Sequence, residues 1–204
     1  LKQIICFAPR RDNTAPFVLV EEWVGERLPS VDRDAARAEL TRRYLRCYGP
    51  STRKDLASWI GISPAHAQSW WLLVEEELHE VDFGGRKAWV LVDDLDLLRA
   101  PPEPRGLRLL PPGDPFIQLR DRETLVPDRN LHPKIWKLVG APGTVLHDGT
   151  LVATWRSRRS GKKLSITVDP LASITSTQRQ RVKDEAESIA RLRGCSSAEL
   201  AFAS

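Results

Sequence analysis

A chain of 204 residues with 41% apolar residues and seven tryptophans is too apolar for a disordered protein and long enough for one large or two small cores. No apolar run approaches the roughly 20 residues of a membrane-spanning helix, and the three distant cysteines, Cys6, Cys47 and Cys195, indicate reduced thiols in a cytoplasmic protein rather than a disulfide framework. The net charge of +4 is unevenly spread: residues 151–165 hold Arg156, Arg158, Arg159, Lys162 and Lys163 and no acid, a local +5, so the rest of the chain sums to −1.

In chain order, residues 2–7 read as a strand and residues 16–20 as its partner, with a basic, polar connection over 9–14. The chain contains no methionine and opens almost inside that strand, as expected of a piece of a longer protein. A secretory leader is not expected, because the first apolar stretch is short and runs into Arg10, Arg11 and Asp12.

Residues 31–92 form the central pattern. Asp32 is placed to cap a first helix, in which Leu40, Tyr44, Leu45 and Tyr48 recur at helical spacing while Arg37, Arg42, Arg43 and Arg46 fill other faces. Gly49-Pro50 stops it. Ser51 or Thr52 caps a short second helix, and Thr52 and Asp55 have capping-box spacing with Asp in place of the usual Glu or Gln. Leu56, Trp59 and Ile60 are its apolar side, and Gly61 breaks it. Ser63-Pro64 starts a third helix, expected to run to about Leu78. Residues 80–83, Gly84-Gly85 and residues 86–92 then alternate apolar and polar side chains around a two-residue glycine turn, a hairpin pattern. Helix, turn, helix, hairpin is the order of a winged helix; any small α+β unit with a hairpin is the alternative.

An acidic turn with Asp93, Asp94 and Asp96 follows. Residues 100–115 hold six prolines and two glycines, the composition of a stiff linker, within which Leu107, Leu109 and Leu110 can add an edge strand. Residues 116–120 are read as a short helical segment and 135–139 as a strand. Three closely spaced strands come next, 144–147, 151–158 and 163–168, turned by Asp148-Gly149 and Ser160-Gly161. Val152, Thr154 and Arg156 are assigned to one face, and Leu151, Ala153 and Trp155 to the other. Thr175 or Ser176 caps a last helix with Val182, Ala186, Ile189 and Ala190 as its apolar stripe and Gly194 as its stop. Residues 198–202 are a final strand.

The hairpin from Trp155 to Lys163 is the strongest candidate for contact with a partner. Five cations around a turn of small residues suit phosphates, whose contacts give salt-dependent affinity and little sequence information; a charged, solvated tip is the alternative. The third helix is a poor DNA reader. Residues 63–80 contain no Lys or Arg and carry Glu75, Glu76, Glu77 and Glu80, leaving His66, Gln68 and Ser69 as the positions that would face base edges. Arg42, Arg43, Arg46, Arg53 and Lys54 are better placed for phosphates. No metal-ligand spacing, GxSxG or P-loop is present, and no cofactor is expected. Asp114, Asp121, Glu123 and Asp128 sit together in an irregular segment where a carboxylate could act in catalysis, although Arg120 to Glu123 reads better as an ion-pair run. The four histidines are scattered.

Three ordered blocks resemble a known family: Arg43-Tyr44-Leu45 with Tyr48 through Thr52 and Asp55 through Ile62; Leu110 through Phe116 with Arg120 to Arg122 and Leu125 through Asp128; and Asp148-Gly149 with Val152 through Arg156. The chain resembles, over nearly its whole length, the tandem winged-helix DNA-binding proteins that include the AlkZ-type alkylpurine DNA glycosylases. The resemblance implies stacked winged-helix units on duplex DNA and, in the glycosylase members, hydrolysis of the N-glycosidic bond of an alkylated base without metal or cofactor. Their catalytic Gln-apolar-Gln or Gln-apolar-Asp motif has no match here, since Gln178-Arg179-Gln180 has a charged centre and lies at the wrong end. Residues 1–20 resemble the wing of a preceding unit.

The expected fold is therefore α+β: a wing-like hairpin and connection at 1–30, a winged helix at 31–98, a Pro-rich linker at 99–115, and a β-rich unit with a C-terminal helix at 116–204. The expected function is non-specific clamping of double-stranded DNA by Arg156, Arg158, Arg159, Lys162 and Lys163, with Arg42, Arg43 and Arg53 secondary, in a protein related to base-excision glycosylases. Two alternatives stand beside it: a winged-helix transcriptional regulator, and an active monofunctional alkylpurine DNA glycosylase whose catalytic motif lies outside this chain.

Overall fold

Strands β1 (Ile5–Phe7) and β2 (Phe17–Leu19) pair antiparallel, with Phe7 opposite Phe17 and their rings stacked at 4.6 Å between centroids. The computed structural model describes residues 4–10, 14–26, 30–118 and 122–203, so parts of the first expected strand and of its connection lie outside the described residues. The chain divides into two compact units, residues 1–99 and 100–204.

In the first unit β2 runs into a short helix, α1 (Val20–Val24), stopped by left-handed Gly25. The next starts and stops follow local capping chemistry. Asp32 accepts from the backbone N–H groups of Asp34 and Ala35 and opens α2 (Arg33–Tyr48). Thr52 and Asp55 form a reciprocal capping box at α3 (Arg53–Ile60), which ends at Gly61 with φ 79°. Ser63 accepts from His66 N–H and Pro64 opens α4 (Pro64–Leu72). Strands β3 (Leu78–Phe83) and β4 (Arg86–Leu91) form an antiparallel hairpin about Gly84-Gly85, and Ser51 adds a short backbone bridge to Trp89. Tyr44, Leu45, Leu56, Trp71 and Leu91 make the core.

Four expectations for this unit change. The third helix stops at Leu72, followed by a tight turn of 3-10 helix at Glu75–Glu77. Three consecutive carboxylates at the negative end of a helix dipole oppose its extension, and Glu77 is instead drawn to Arg42. Leu40 lies toward solvent, with Ala38 and Thr41 buried beside Tyr44 and Leu45. Trp59 is 46% exposed, its ring packed at a tilt of 45° and 50° on Tyr44 and Tyr48. The unit closes with α5 (Leu95–Arg99) where an acidic turn was read.

The second unit is built on a five-stranded sheet in the order β5 (Leu107–Leu110), β6 (Gly143–His147), β7 (Thr150–Ser160), β8 (Lys163–Pro170) and β9 (Ser197–Phe202). All neighbours are antiparallel except β8 and β9, which are parallel and joined by the crossover helix α8 (Ser176–Leu192). Its Val182, Ala186 and Ala190 pack on Leu107, Leu109, Val145, Ala153, Trp155, Leu164, Ile166 and Val168. The opposite face is partly covered by the segment before β6, through Ile117, Val126, Ile135 and Leu151. That segment contains two single helical turns, α6 (Arg122–Leu125) and α7 (His132–Ile135).

Three local readings change here as well. Residues 115–118 are turns, because the Asp114 carboxylate takes the Phe116 N–H; residues 119–121 lie outside the described residues. The strand expected at 135–139 is absent: Pro133 favours a helical turn that buries Ile135 and leaves Leu138 and Val139 in solvent. The face assignment also inverts at one end of β7. A register shift between Val145 and Leu146 leaves Val152 as an extra residue, so Val152 joins Ala153 on the α8 side and Leu151 turns to the opposite core. A bulge moves every earlier side chain to the other face.

Candidate nucleic-acid interface

Strand β7 outruns its core. Trp155 is its last buried residue, and residues 156–160 continue into solvent paired with the start of β8. The loop is the pair Gly161-Lys162, with positive φ at Gly161 alone, as a type II′ turn requires. Pairing sorts the charges by face. Arg156, Arg158 and Lys163 lie on the face away from α8, while Arg159 lies on the α8 face with Ser157.

The tip is braced from behind. Arg193, just past α8, donates to Ser157 Oγ at 2.9 Å. Ser196 donates both its backbone N–H and its hydroxyl to the Lys162 carbonyl, at 2.8 and 3.2 Å. Arg156 donates to the Gly140 carbonyl at 2.7 Å, and Arg159 Nε to that of Gly161 at 3.0 Å. Lys163 Nζ lies 2.9 Å from Glu199 Oε1, and this contact raises its pKa above the ordinary 10.5. Arg158 and Lys162 have no ion pair with any described residue. The hairpin thus presents cations on an ordered backbone, with Arg193 as an added charge. Sequence reasoning missed Arg193: it stands 36 residues from Ser157, and only the sheet order brings it near.

The candidates in the first unit are differently placed. Arg42 is held by Glu77 through two parallel hydrogen bonds of 2.7 Å, which raise the arginine pKa and lower that of Glu77. Arg43 Nε donates to Glu39 at 2.7 Å, which lowers the Glu39 pKa. Arg53 and Lys54, exposed in the first turn of α3, and Arg46, exposed near the end of α2, form no ion pair with a described residue. On α4, His66 faces Ser63 Oγ, and Ser69 hydroxyl donates back to the His66 carbonyl, so both polar groups are engaged within the helix.

The carboxylates in the irregular segment have structural partners. Asp114 and Asp128 accept local backbone N–H groups, and Glu123 pairs with Arg129. Arg122 lies over the Trp136 ring, and Arg120 and Asp121 lie outside the described residues. Gln178 closes the capping box of α8 with its oxygen and meets His147 with its amide nitrogen, while Gln180 bonds Asp184. No group of three His, Cys, Asp or Glu among the described residues could hold a metal ion, and no described helix is long and apolar enough to cross a membrane.

An interstrand DNA cross-link repair glycosylase from Streptomyces sahachiroi is 27% identical over 203 residues, 95% of this chain and 53% of that protein. The solved structure of the Streptomyces sahachiroi DNA glycosylase AlkZ superimposes with a TM-score of 0.77 at 25% identity, covering 99% of this chain and 55% of that one. The chain therefore spans about half the length of the relatives it matches, with the same mixed α+β architecture. Residues 2–192 match the family of AlkZ-like DNA glycosylases, and the chain belongs to that family.

Proposed function

We propose that this chain is a duplex-gripping part of a DNA-repair glycosylase of the AlkZ-like family, binding double-stranded DNA through phosphates with little sequence preference. The observation that carries the reading is the β7–β8 tip, where Arg158, Arg159 and Lys162 stand on a braced hairpin with Arg193 behind them. A fixed cluster of cations engages phosphates without first losing the freedom of a mobile loop.

The finer organisation belongs to the same reading. Residues 31–98 act as a winged helix, supported by the order α2, α3, α4, β3, β4 and by the Ser51–Trp89 bridge, which adds a third short strand. Residues 1–30 serve as the wing of a preceding unit and its connection, 99–115 as a linker that lends β5 to the sheet, and 116–204 as the basic unit. Of Arg42, Arg43 and Arg53, Arg53 is the one best placed for a phosphate, with Lys54 beside it. Arg42 and Arg43 are less available to phosphates, because each already holds a carboxylate. Base excision itself, including the cross-link repair named for the Streptomyces relative, is assigned to residues outside this chain, where the Gln-apolar-Gln or Gln-apolar-Asp motif is expected.

The test is anisotropy of a fluorescent duplex, with and without an alkylated purine, across a salt series. Changing Arg158, Arg159, Lys162 and Lys163 together to Ala is expected to weaken binding equally for all sequences and to flatten the salt slope. Unchanged affinity and slope refute the clamp. Strong preference for one sequence favours a regulator instead.

A further inference from the structure

Leu138 is the most exposed large apolar side chain of the described residues, at 102%, and Val139 beside it is 85% exposed. Scattered apolar side chains on a surface are ordinary. Two in succession at the tip of a loop whose stem is fixed are not. On the incoming side, Trp136 Nε1 donates to the Ile117 carbonyl at 2.8 Å, and its ring is covered by the Arg122 guanidinium at 5.0 Å. On the outgoing side, Arg156 donates to the Gly140 carbonyl, and Pro142 and Gly143 are buried at the start of β6. The loop is held at both ends, and its two apolar residues remain outside.

The surroundings are cationic. Residues 129–147 contain no acid. Lys134 and Lys137 are exposed on either side of Trp136. Arg156, which holds the stem, stands on the same face of β7 as Arg158. The loop is therefore tied through Arg156 to the strand that carries the basic tip.

An apolar point ringed by cations fits a partner that is anionic outside and apolar within. In duplex DNA the phosphates form the anionic rim and the stacked bases the apolar interior, and apolar side chains flanked by basic ones are known to enter between base pairs. We propose that Leu138 and Val139 form a wedge that enters the base stack of a bound duplex while Lys134, Lys137 and Arg158 hold the backbones beside it. This deepens the duplex-gripping reading and rests on it.

The experiment compares the wild-type chain with Leu138→Ser/Val139→Ser and with Leu138→Phe. Binding is measured on a fluorescent duplex across a salt series and on a duplex carrying 2-aminopurine, whose emission rises on unstacking. Both side chains are exposed, so equal thermal midpoints verify folding. A wedge contact releases no counterions. The double variant is expected to lose about tenfold in affinity at every salt concentration, with an unchanged slope, and to lose the emission rise. Leu138→Phe is expected to keep both. Unchanged affinity and emission in the double variant overturn the wedge while leaving the clamp standing. A loss that comes with a flattened slope also overturns it, because the residues would then act through the cations. Absence of any wild-type duplex binding overturns both readings. Retention on anionic phosphatidylglycerol vesicles that only the double variant loses, with DNA binding intact, assigns the loop to a membrane surface and overturns the wedge.

Discussion

Lys163 is the one cation of the basic tip whose charge is already matched. Parallel pairing of β8 with β9 sets Ser165 opposite Glu199, which places the carboxylate diagonally beside Lys163 on the same face, 2.9 Å from its ammonium. As a unit the pair brings no net charge to the DNA. Each phosphate neutralised by a free cation adds about 0.9 to the slope of log affinity against log salt, or about three- to fourfold in affinity between roughly 50 and 200 mM. Deleting the whole pair, Lys163→Ala with Glu199→Gln, is therefore expected to leave the slope unchanged. Glu199→Gln alone frees the ammonium and is expected to steepen the slope by about 0.9. Arg158→Ala, Arg159→Ala and Lys162→Ala combined remove three unmatched charges and are expected to flatten it by about 2.7, about fortyfold over the same range. Anisotropy titrations of one duplex oligonucleotide at a series of salt concentrations give all four slopes. A neutral pair deletion that flattens the slope by about 0.9, the share of one unmatched cation, would refute the reasoning, because Lys163 would then be reaching a phosphate in spite of Glu199.

Two further outcomes test the scaffold. At Gly143 a Cβ would fall 2.5 Å from the Leu110 carbonyl oxygen and against the Trp155 indole that donates to that same oxygen; Gly143→Ala is expected to cost about 1–3 kcal/mol, read by calorimetry as a lower midpoint for the transition of the second unit, and an unaltered midpoint would show that the sheet yields there at no cost. Arg42 holds the Glu77 pKa below its ordinary 4.5, so the pair's stabilisation is fully present above that value and is lost as pH falls through the depressed one; Glu77→Gln is expected to cost about 0.5–1 kcal/mol near neutrality, discounted for partial exposure, and nothing once the carboxyl is protonated, as urea denaturation at neutral and acid pH would show.

The parts of the fold that were legible in the sequence are those set within four residues. Asp32, Thr52 with Asp55 and Ser63 with Pro64 each close a helix start through their own backbone neighbours as read, and of the two caps offered for α8 it is Thr175 that closes it, with Gln178 completing a box the sequence reading did not name. Asp148-Gly149, both at positive φ, turns β6 into β7 as the residue types require. What was not legible depends on distant residues. The end of α4 is decided partly by Arg42, which sits 35 positions from Glu77. The bulge at Val152 leaves the residue pattern of β7 intact while turning Leu151 over, so alternation alone assigns it to the wrong side. The basic tip was visible as a run of charge, but its division into matched and unmatched cations needed Glu199 and Arg193, each 36 positions away from its partner.

That division bears on what the chain contributes to a repair protein. A reader of sequence needs polar side chains free to meet base edges. On α4 the polar groups of His66 and Ser69 are engaged within the helix, and the turn that follows carries three glutamates that phosphates would repel. The cations of the second unit, by contrast, project from a strand pair and, on the proposed reading, would meet a backbone that is the same at every step. Affinity drawn from phosphates in this way is blind to the base pair beneath, which suits a protein that must bind any stretch of duplex before a lesion is found. On this reading the discrimination between normal and altered bases comes from whatever probes the stack. A chain stripped of Leu138 and Val139 should then still bind duplex with the same salt slope, yet no longer disturb the bases it covers.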